Sequence, residues 1–223
     1  MKAIVYMFLF LILLVGDLSM AFDKSQIKEV SFETADGGRI VANQYGKGKY
    51  GVILAHGAIF NKESWHPFAS TLADQGFCVL SIDFRGYGKS ISGSNGKVLY
   101  EDVLGAAKYL NSTGAEKISV IGGSMGGGAV AQAAVVAEEG TFFKVILLSP
   151  VPIKEPEKIK ANEVIYVVSK DENLMLTVEK QYKRVSQPKI MEVLDGDAHA
   201  QHIFKTSQAS RLTELIVAAL NRP

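Results

Sequence analysis

Ser124 is the residue whose sequence neighbours point most clearly to chemistry. It lies in Gly122-Gly123-Ser124-Met125-Gly126, a G-x-S-x-G pattern between a predicted strand and a predicted helix. A sharp turn between such elements lifts the serine oxygen above a sheet, strains the serine backbone, and leaves room only for small residues two positions to either side. The pattern predicts a nucleophilic serine; the alternative is a glycine-rich turn with an incidental serine.

The same turn offers a hydrogen-bond donor for a developing negative charge. The backbone N–H of Met125 lies at the predicted start of the helix, where the helix dipole favours an oxyanion. The sequence therefore predicts acyl chemistry, with Met125 as one donor to a tetrahedral intermediate.

Two nucleotide-binding patterns are close but incomplete. The segment Gly86–Ser90 (GYGKS) ends like a P-loop, yet Asp83 stands where the first glycine of G-x-x-x-x-G-K-S is required. At the strand–helix turn, Ser124 replaces the second glycine of G-x-G-x-x-G. Neither pattern supports a phosphate cradle, and we expect no cofactor.

Composition limits the class of protein. The chain has 223 residues, of which 48% are hydrophobic, and its 24 basic and 23 acidic residues leave a net charge of +1. This excludes a disordered chain and disfavours nucleic acid as a partner. The one cysteine, Cys78, cannot form an intrachain disulfide or a cysteine-rich zinc site, and its apolar strand context predicts a buried side chain.

The N-terminal segment Met1–Ala21 predicts a targeting signal. Lys2 precedes an apolar run of 12 residues, Ile4–Val15, and Ser19 and Ala21 are small residues before a plausible cleavage site. Such a run is too short to span a bilayer. We expect a secreted or periplasmic domain over 22–223, with no stable membrane insertion after cleavage; the alternative is an uncleaved N-terminal anchor.

Strands and helices are predicted to alternate along the rest of the chain. A DGG turn at Asp36–Gly38 joins two strands as an antiparallel hairpin, and the later strands are short apolar runs of the buried, parallel type. The pattern predicts a mostly parallel sheet with helices on both faces and functional groups at the carboxyl ends of the strands. Helices are predicted over 64–75, 97–111, 125–139, 174–184 and 206–221.

In these features the chain resembles the α/β-hydrolase family over nearly all of 22–223. The resemblance rests on His56-Gly57-Ala58, the segment Asp83–Ser90, the turn at Ser124, and Asp171 and His199 in the order Ser–Asp–His. It implies an α/β-hydrolase fold with a central sheet of about eight strands. It also implies a structural role for the Asp83-x-Arg85-Gly86 motif.

The resemblance assigns the acid of a catalytic triad to Asp171, at the tip of the strand that begins at Glu163. Its role would be to accept the Nδ1 proton of the histidine. Glu172 is the nearest rival, Asp195 and Asp197 are others, and Asp171 could instead be a solvated loop residue or a helix cap.

His199 is the predicted general base. It lies in a loop after the last strand, from which its imidazole can reach the serine. His56 resembles a structural histidine of the family, His66 falls in a helix turn, and His202 is the rival base. His199 and His202 lack a third ligand nearby in sequence, so we expect no metal.

The second oxyanion donor implied by the resemblance is the backbone N–H of Ala58, with Ile59 as the alternative. Asn61 and Trp65 are expected to line an acyl pocket, although Trp65 could equally be a core residue. Only 14 residues separate Leu148 from Glu163, where lidded family members insert a cap, so we expect an open, capless site.

The sequence thus predicts a serine hydrolase that cleaves small carboxylic esters through Ser124, His199 and Asp171. The partner expected is a small-molecule ester. The alternatives are a thioesterase, an acyltransferase or a dienelactone-type hydrolase on the same triad, or a ligand-binding protein without turnover.

Overall fold

One eight-stranded sheet organises the protein. The structure, a computed structural model, describes residues 27–223. The sheet has the order β1-β2-β4-β3-β5-β6-β7-β8. Its strands are β1 (Lys28–Glu33), β2 (Arg39–Tyr45), β3 (Tyr50–Ala55), β4 (Cys78–Ile82), β5 (Lys117–Gly123), β6 (Lys144–Leu148), β7 (Glu163–Ser169) and β8 (Lys189–Leu194).

The pairing follows the hydrophobic pattern of the strands. β1 and β2 form an antiparallel hairpin and β2 pairs antiparallel with β4, whereas all pairs from β4 through β8 are parallel. Strands β4 and β6 are buried at every position, as expected for short apolar runs covered on both faces. The structure confirms the predicted α/β-hydrolase fold.

In the described part of the chain, five α-helices cover the two faces of the sheet. They are α1 (His66–Asp74), α2 (Tyr100–Ser112), α3 (Met125–Val136), α4 (Met175–Arg184) and α5 (Ala209–Asn221). Buried side chains of α2, α3 and α4 belong to one hydrophobic cluster, and those of α1 and α5 belong to a second cluster on the other face. The sheet therefore separates two cores, and its strand ends lie between them.

Element boundaries differ from the predictions where local hydrogen bonding competes with the α-helix. The helix predicted from Ser64 divides into a 3₁₀ turn, Lys62–Trp65, and α1, whose second residue is Pro67. Proline fits a first helical turn, because the N–H it lacks would have no partner there. The segment after β8 includes a 3₁₀ helix, Ala200–Lys205, and α5 begins only at Ala209.

The β6–β7 connection has no room for a cap. Residues 149–162 contain only one short 3₁₀ helix, Pro156–Lys158. Within 27–223, no helix is long and apolar enough to cross a membrane. The signal predicted over Met1–Ala21, with the domain boundary after it, lies outside the described residues and stays a prediction.

Candidate active site

Ser124 occupies a strained turn between β5 and α3. Its φ of 51° and ψ of −113° are rare for a residue with a side chain. The turn is fixed by its own backbone, since the N–H of Ser124 donates to Leu148 O at 2.9 Å and its carbonyl accepts from Gly128 N at 3.1 Å. The strain therefore persists because the surrounding sheet and helix hold it.

Glycine is required on both sides of the serine. A Cβ on Gly126 would overlap the backbone of Ala55 and His56, and a Cβ on Gly122 would overlap the backbone of Gly126. These contacts bring α3 against the end of β3. The G-x-S-x-G pattern is thus explained by close approach of backbone segments.

His199 contacts the serine directly. Its Nε2 lies 2.8 Å from Ser124 Oγ, and its Nδ1 lies 2.6 Å from Glu172 Oε2. Because a carboxylate only accepts hydrogen bonds, the imidazole carries its proton on Nδ1 and leaves Nε2 free to accept from the serine. The imidazole side chain is 37% exposed, whereas the Glu172 side chain is 1% exposed.

The acid partner of His199 is Glu172, so the prediction that Asp171 has this position is wrong. Asp171 is exposed, and its backbone N–H donates to Gly196 O at 2.9 Å. The backbone N–H of Glu172 instead bonds back to Ser169 O, in a turn that brings its side chain over the end of β7. The extra methylene of glutamate then lets the carboxylate reach His199.

Two serines that the sequence analysis did not consider hold the Glu172 carboxylate. The hydroxyl of Ser149, just after β6, donates to Glu172 Oε1, and the backbone N–H of Ser169 donates to the same oxygen at 3.1 Å. Ser149 is fully buried and also accepts from the backbone N–H of Ala200 at 3.3 Å. Their position at adjacent strand ends was the only signal in the sequence.

The loop after β3 is held by buried side chains. The amide of Gln201 accepts from Gly57 N at 2.7 Å and donates to Ser64 Oγ at 3.0 Å. His56 receives the N–H of Phe84 on Nε2 at 3.2 Å, so its Nδ1 donates to Gly57 O at 2.8 Å. Burial lowers the pKa of His56 and favours this neutral form. Its contacts fit a structural histidine.

The segments bearing the predicted oxyanion donors meet at this loop. Ala58 and Ser124 both line a cavity of about 150 Å³, and Met125 begins α3 directly after the serine. The hydroxyl of Tyr87 lies 3.0 Å from Ala58 O and 3.7 Å from Met125 Sδ, and so links the two segments. Ile59, the alternative donor, also lines the cavity, with its residue 78% exposed.

The other candidate residues have different positions. His202 lines the same cavity, but its ring packs against Phe60 at a centroid distance of 5.0 Å. His66 packs at the start of α1 against Tyr45. Asn61 caps the 3₁₀ turn by accepting from Ser64 N at 3.1 Å, rather than lining the cavity.

The Asp83-x-Arg85 motif forms ion pairs beneath the site. Asp83 accepts from the Lys62 backbone N–H and ammonium at 2.8 and 2.9 Å. Arg85 pairs with Asp102 and Asp36, each at 2.8 Å. These contacts join the loop after β4 to α2 and to the hairpin turn, which fits a structural role. Within the described chain, no cluster of three or more metal-ligating side chains occurs.

Sequence comparison identifies a family model. The model of the alpha/beta hydrolase fold matches residues 51–205, which include Ser124, Glu172 and His199. This range runs from β3 to the 3₁₀ helix that follows the histidine.

Curated relatives match a shorter part of the chain. It is 34% identical over 120 residues to the dihydrolipoyllysine-residue acetyltransferase component of an acetoin cleaving system from Cupriavidus necator, a match covering 54% of this chain and 32% of the relative. It is 29% identical over 122 residues to a non-heme haloperoxidase from Rhodococcus erythropolis, covering 54% and 44%. The chain therefore matches less than half the length of these relatives.

Solved structures share the whole fold. An esterase of Pyrococcus furiosus superimposes with a TM-score of 0.75 at 19% identity, covering 90% of each chain. An esterase from Exiguobacterium antarcticum gives a TM-score of 0.73 at 14% identity, covering 87% of this chain and 100% of that one. At such identities the likeness concerns the fold.

Proposed function

Because the chain belongs to the alpha/beta hydrolase fold family, we propose that it is a serine hydrolase that cleaves carboxylic esters through an acyl-enzyme on Ser124. One observation carries the proposal, the continuous contact from Ser124 through His199 to Glu172. A purely structural turn would need neither a buried carboxylate nor an imidazole aligned on a strained serine.

Acylation begins with attack of Ser124 Oγ on the ester carbonyl carbon. The serine proton passes to His199 Nε2 as the new C–O bond forms, and the carbonyl oxygen becomes an oxyanion that the N–H groups of Met125 and Ala58 stabilise. Collapse of this intermediate breaks the bond to the alcohol oxygen. His199 gives its proton to that oxygen, and the alcohol leaves.

Deacylation repeats these steps with water. His199 Nε2 removes a proton from water as its oxygen attacks the acyl carbon, and the second tetrahedral intermediate expels Ser124 Oγ, which takes the proton back. The products are a carboxylic acid and the regenerated serine. Neither acylation nor deacylation, written in this way, uses a cofactor or a metal.

Glu172 acts through the imidazole. By accepting the Nδ1 proton it fixes the tautomer that the reaction needs, and its negative charge stabilises the imidazolium formed in each step. Ser149 and the backbone of Ser169 occupy its other oxygen. They hold the carboxylate in the orientation that meets His199.

Acyl transfer is the second candidate on the same residues. It is favoured by the relative from Cupriavidus necator, whose name describes an acetyltransferase component. In this reaction an alcohol or thiol replaces water in deacylation. The imidazole is partly exposed, and the β6–β7 connection carries no cap domain over it, so that His199 is accessible to either acceptor.

Turnover of matched acyl donors tests the proposal. The wild-type protein should hydrolyse p-nitrophenyl acetate, and Ser124→Ala should lower kcat/KM by about 10⁴-fold or more. Adding methanol and measuring methyl acetate separates transfer from hydrolysis. Measuring kcat/KM for S-phenyl thioacetate in parallel compares a thioester with the oxygen ester. Activity retained by Ser124→Ala, or no turnover of any donor by folded wild type, would refute the proposal.

A further inference from the structure

A second, larger cavity adjoins the candidate active site. It has a volume of about 580 Å³ and lies between α1 and α5, on one face of the sheet. Phe60 and Gln201 line both this cavity and the 150 Å³ cavity at Ser124. The two spaces therefore adjoin at Phe60 and Gln201, next to the candidate active site.

The inner part of the larger cavity is aromatic. Trp65, Phe68 and Phe204 line it and contact one another, with Phe68 and Phe204 ring centroids 4.8 Å apart. Its volume falls within the range of about 300–1,000 Å³ typical of ligand sites. Such a lining favours hydrocarbon over polar groups, because each buried methylene gains free energy by leaving water.

Polar side chains also line the cavity, and the two charged ones, Lys205 and Glu214, are exposed. Thr71 of α1 and Thr213 of α5 line the cavity, but each hydroxyl donates to a carbonyl within its own helix. These hydroxyls thus have partners already and do not require a polar ligand. At a rise of about 2 Å per residue in the 3₁₀ turn and about 1.5 Å in α1, the wall from Ser64 to Thr71 runs about 11 to 12 Å, which is comparable to an extended octanoyl chain.

The position of the proton donor decides whether the acyl chain or the alcohol of an ester enters the large cavity. The leaving oxygen must lie next to His199 Nε2 to receive its proton, so the alcohol stays beside the imidazole. The large cavity is lined by neither His199 nor Ser124, whereas a separate cavity of about 240 Å³ on the Glu172 side is lined by His199, Asn173 and Asp197. The alcohol therefore has a more polar space of its own.

We propose that the cavity between α1 and α5 binds the hydrocarbon chain of a medium-length acyl group, so that the protein prefers esters of acids such as octanoic acid to acetate esters. This inference rests on the proposed function, because it assumes that Ser124 carries the acyl group. It replaces the sequence-based expectation of a small acyl substrate, and it gives Trp65 a place beside the chain.

A chain-length series with a cavity-filling variant tests the proposal. Full burial of a methylene is worth roughly fourfold in binding, so the four methylenes by which octanoate exceeds butyrate set an upper limit of roughly 250-fold. With the chain buried in part, kcat/KM of the wild type should rise by about tenfold to a hundredfold from p-nitrophenyl butyrate to p-nitrophenyl octanoate. Thr213→Phe should lower the octanoate value by about tenfold or more and leave acetate within about twofold. Ala218→Phe, on an exposed position of the same helix, should change neither.

Fluorescence gives a readout that does not depend on turnover. Trp65 is the one tryptophan in the chain, so its emission reports on the cavity. Free octanoate should shift the emission of wild type and Ala218→Phe but not of Thr213→Phe, and acetate should shift none of them.

The outcomes separate the two proposals. Emission that responds to octanoate without ester turnover would refute the proposed function and leave the cavity as a binding site. Ester turnover with no response to octanoate and the same chain-length profile in Thr213→Phe would overturn the acyl-chain proposal. A profile that depends on the alcohol chain of acetate esters, and is altered by Thr213→Phe, would also overturn it by placing the leaving group in the cavity.

Discussion

Glu172 Oε2 lies 2.6 Å from Nδ1 of His199, whereas Asp171, the preceding residue, is exposed at the surface. The difference comes from the turn after β7, in which Asp171 N–H bonds to Gly196 O and Glu172 N–H bonds back to Ser169 O. The hydroxyl of Ser149 donates a hydrogen bond to the other oxygen of this buried carboxylate. Adjacent acidic residues therefore have separate environments, and of the two only Glu172 contacts the imidazole.

Isosteric substitution of these two carboxylates should separate their roles. Glu172→Gln replaces the acceptor with an amide and disfavours the required histidine tautomer, so kcat should fall by about 10³- to 10⁴-fold. Asp171→Asn should keep kcat within about twofold, because its side chain faces solvent. Steady-state kinetics on p-nitrophenyl acetate checks both. Equal losses in the two variants would show that the turn after β7 differs from the one described.

The strained backbone of Ser124 should appear as a stability cost. Ser124→Gly and Ser124→Ala remove the same hydroxyl, but only glycine adopts φ 51° and ψ −113° without a Cβ penalty. We expect Ser124→Gly to have the higher free energy of unfolding by about 1 kcal/mol. Urea denaturation at one pH measures it. Ser124→Ala as the more stable variant would contradict a strained turn.

Short apolar runs predicted the fold, because whether a segment forms a buried strand depends largely on its local composition. The apolar runs of β3 through β7, and the DGG turn of the hairpin, identified the sheet. The position of Ser124 followed from glycine spacing, which reflects backbone contacts within one turn. The loop after β8 pointed to His199, but His202, three residues later, is set aside only by the contact of His199 Nε2 with Ser124 Oγ.

The carboxylate that contacts His199 could not be chosen from the sequence. Asp171 and Glu172 are neighbours in one turn, and the hydrogen bonds that orient them come from Ser169 and from the loop after β8. The contribution of Ser149 depends on β6 lying beside β7. Likewise, the contact between Gln201 and Gly57 joins residues 144 positions apart in the chain. Interactions of this kind are set by tertiary packing and leave no local pattern.

The buried His56 should make stability depend on pH. Burial lowers its pKa below the ordinary value of about 6.5, so below that pH the unfolded chain takes up the proton first. Its contribution to stability is then complete above pH 6.5 and falls as pH decreases, by at most about 1.4 kcal/mol per pH unit. Urea denaturation at pH 7.5 and 5.5 should show a smaller fall for His56→Gln than for wild type.

His66→Gln is the matched control for this experiment. It removes a half-buried imidazole at the start of α1 and tests for a general effect of losing a histidine. The same fall in stability for wild type and His56→Gln would rule out the buried neutral histidine as its source.

The most direct test of the central claim is the intact mass of the protein after treatment with a fluorophosphonate, a probe that reacts with activated serines without requiring a known substrate. The account predicts one adduct on the wild type, localised to Ser124 by peptide mapping, and none on folded Ser124→Ala. An adduct on another residue, or no adduct on folded wild-type protein, would contradict an activated Ser124 and with it the proposed hydrolase mechanism.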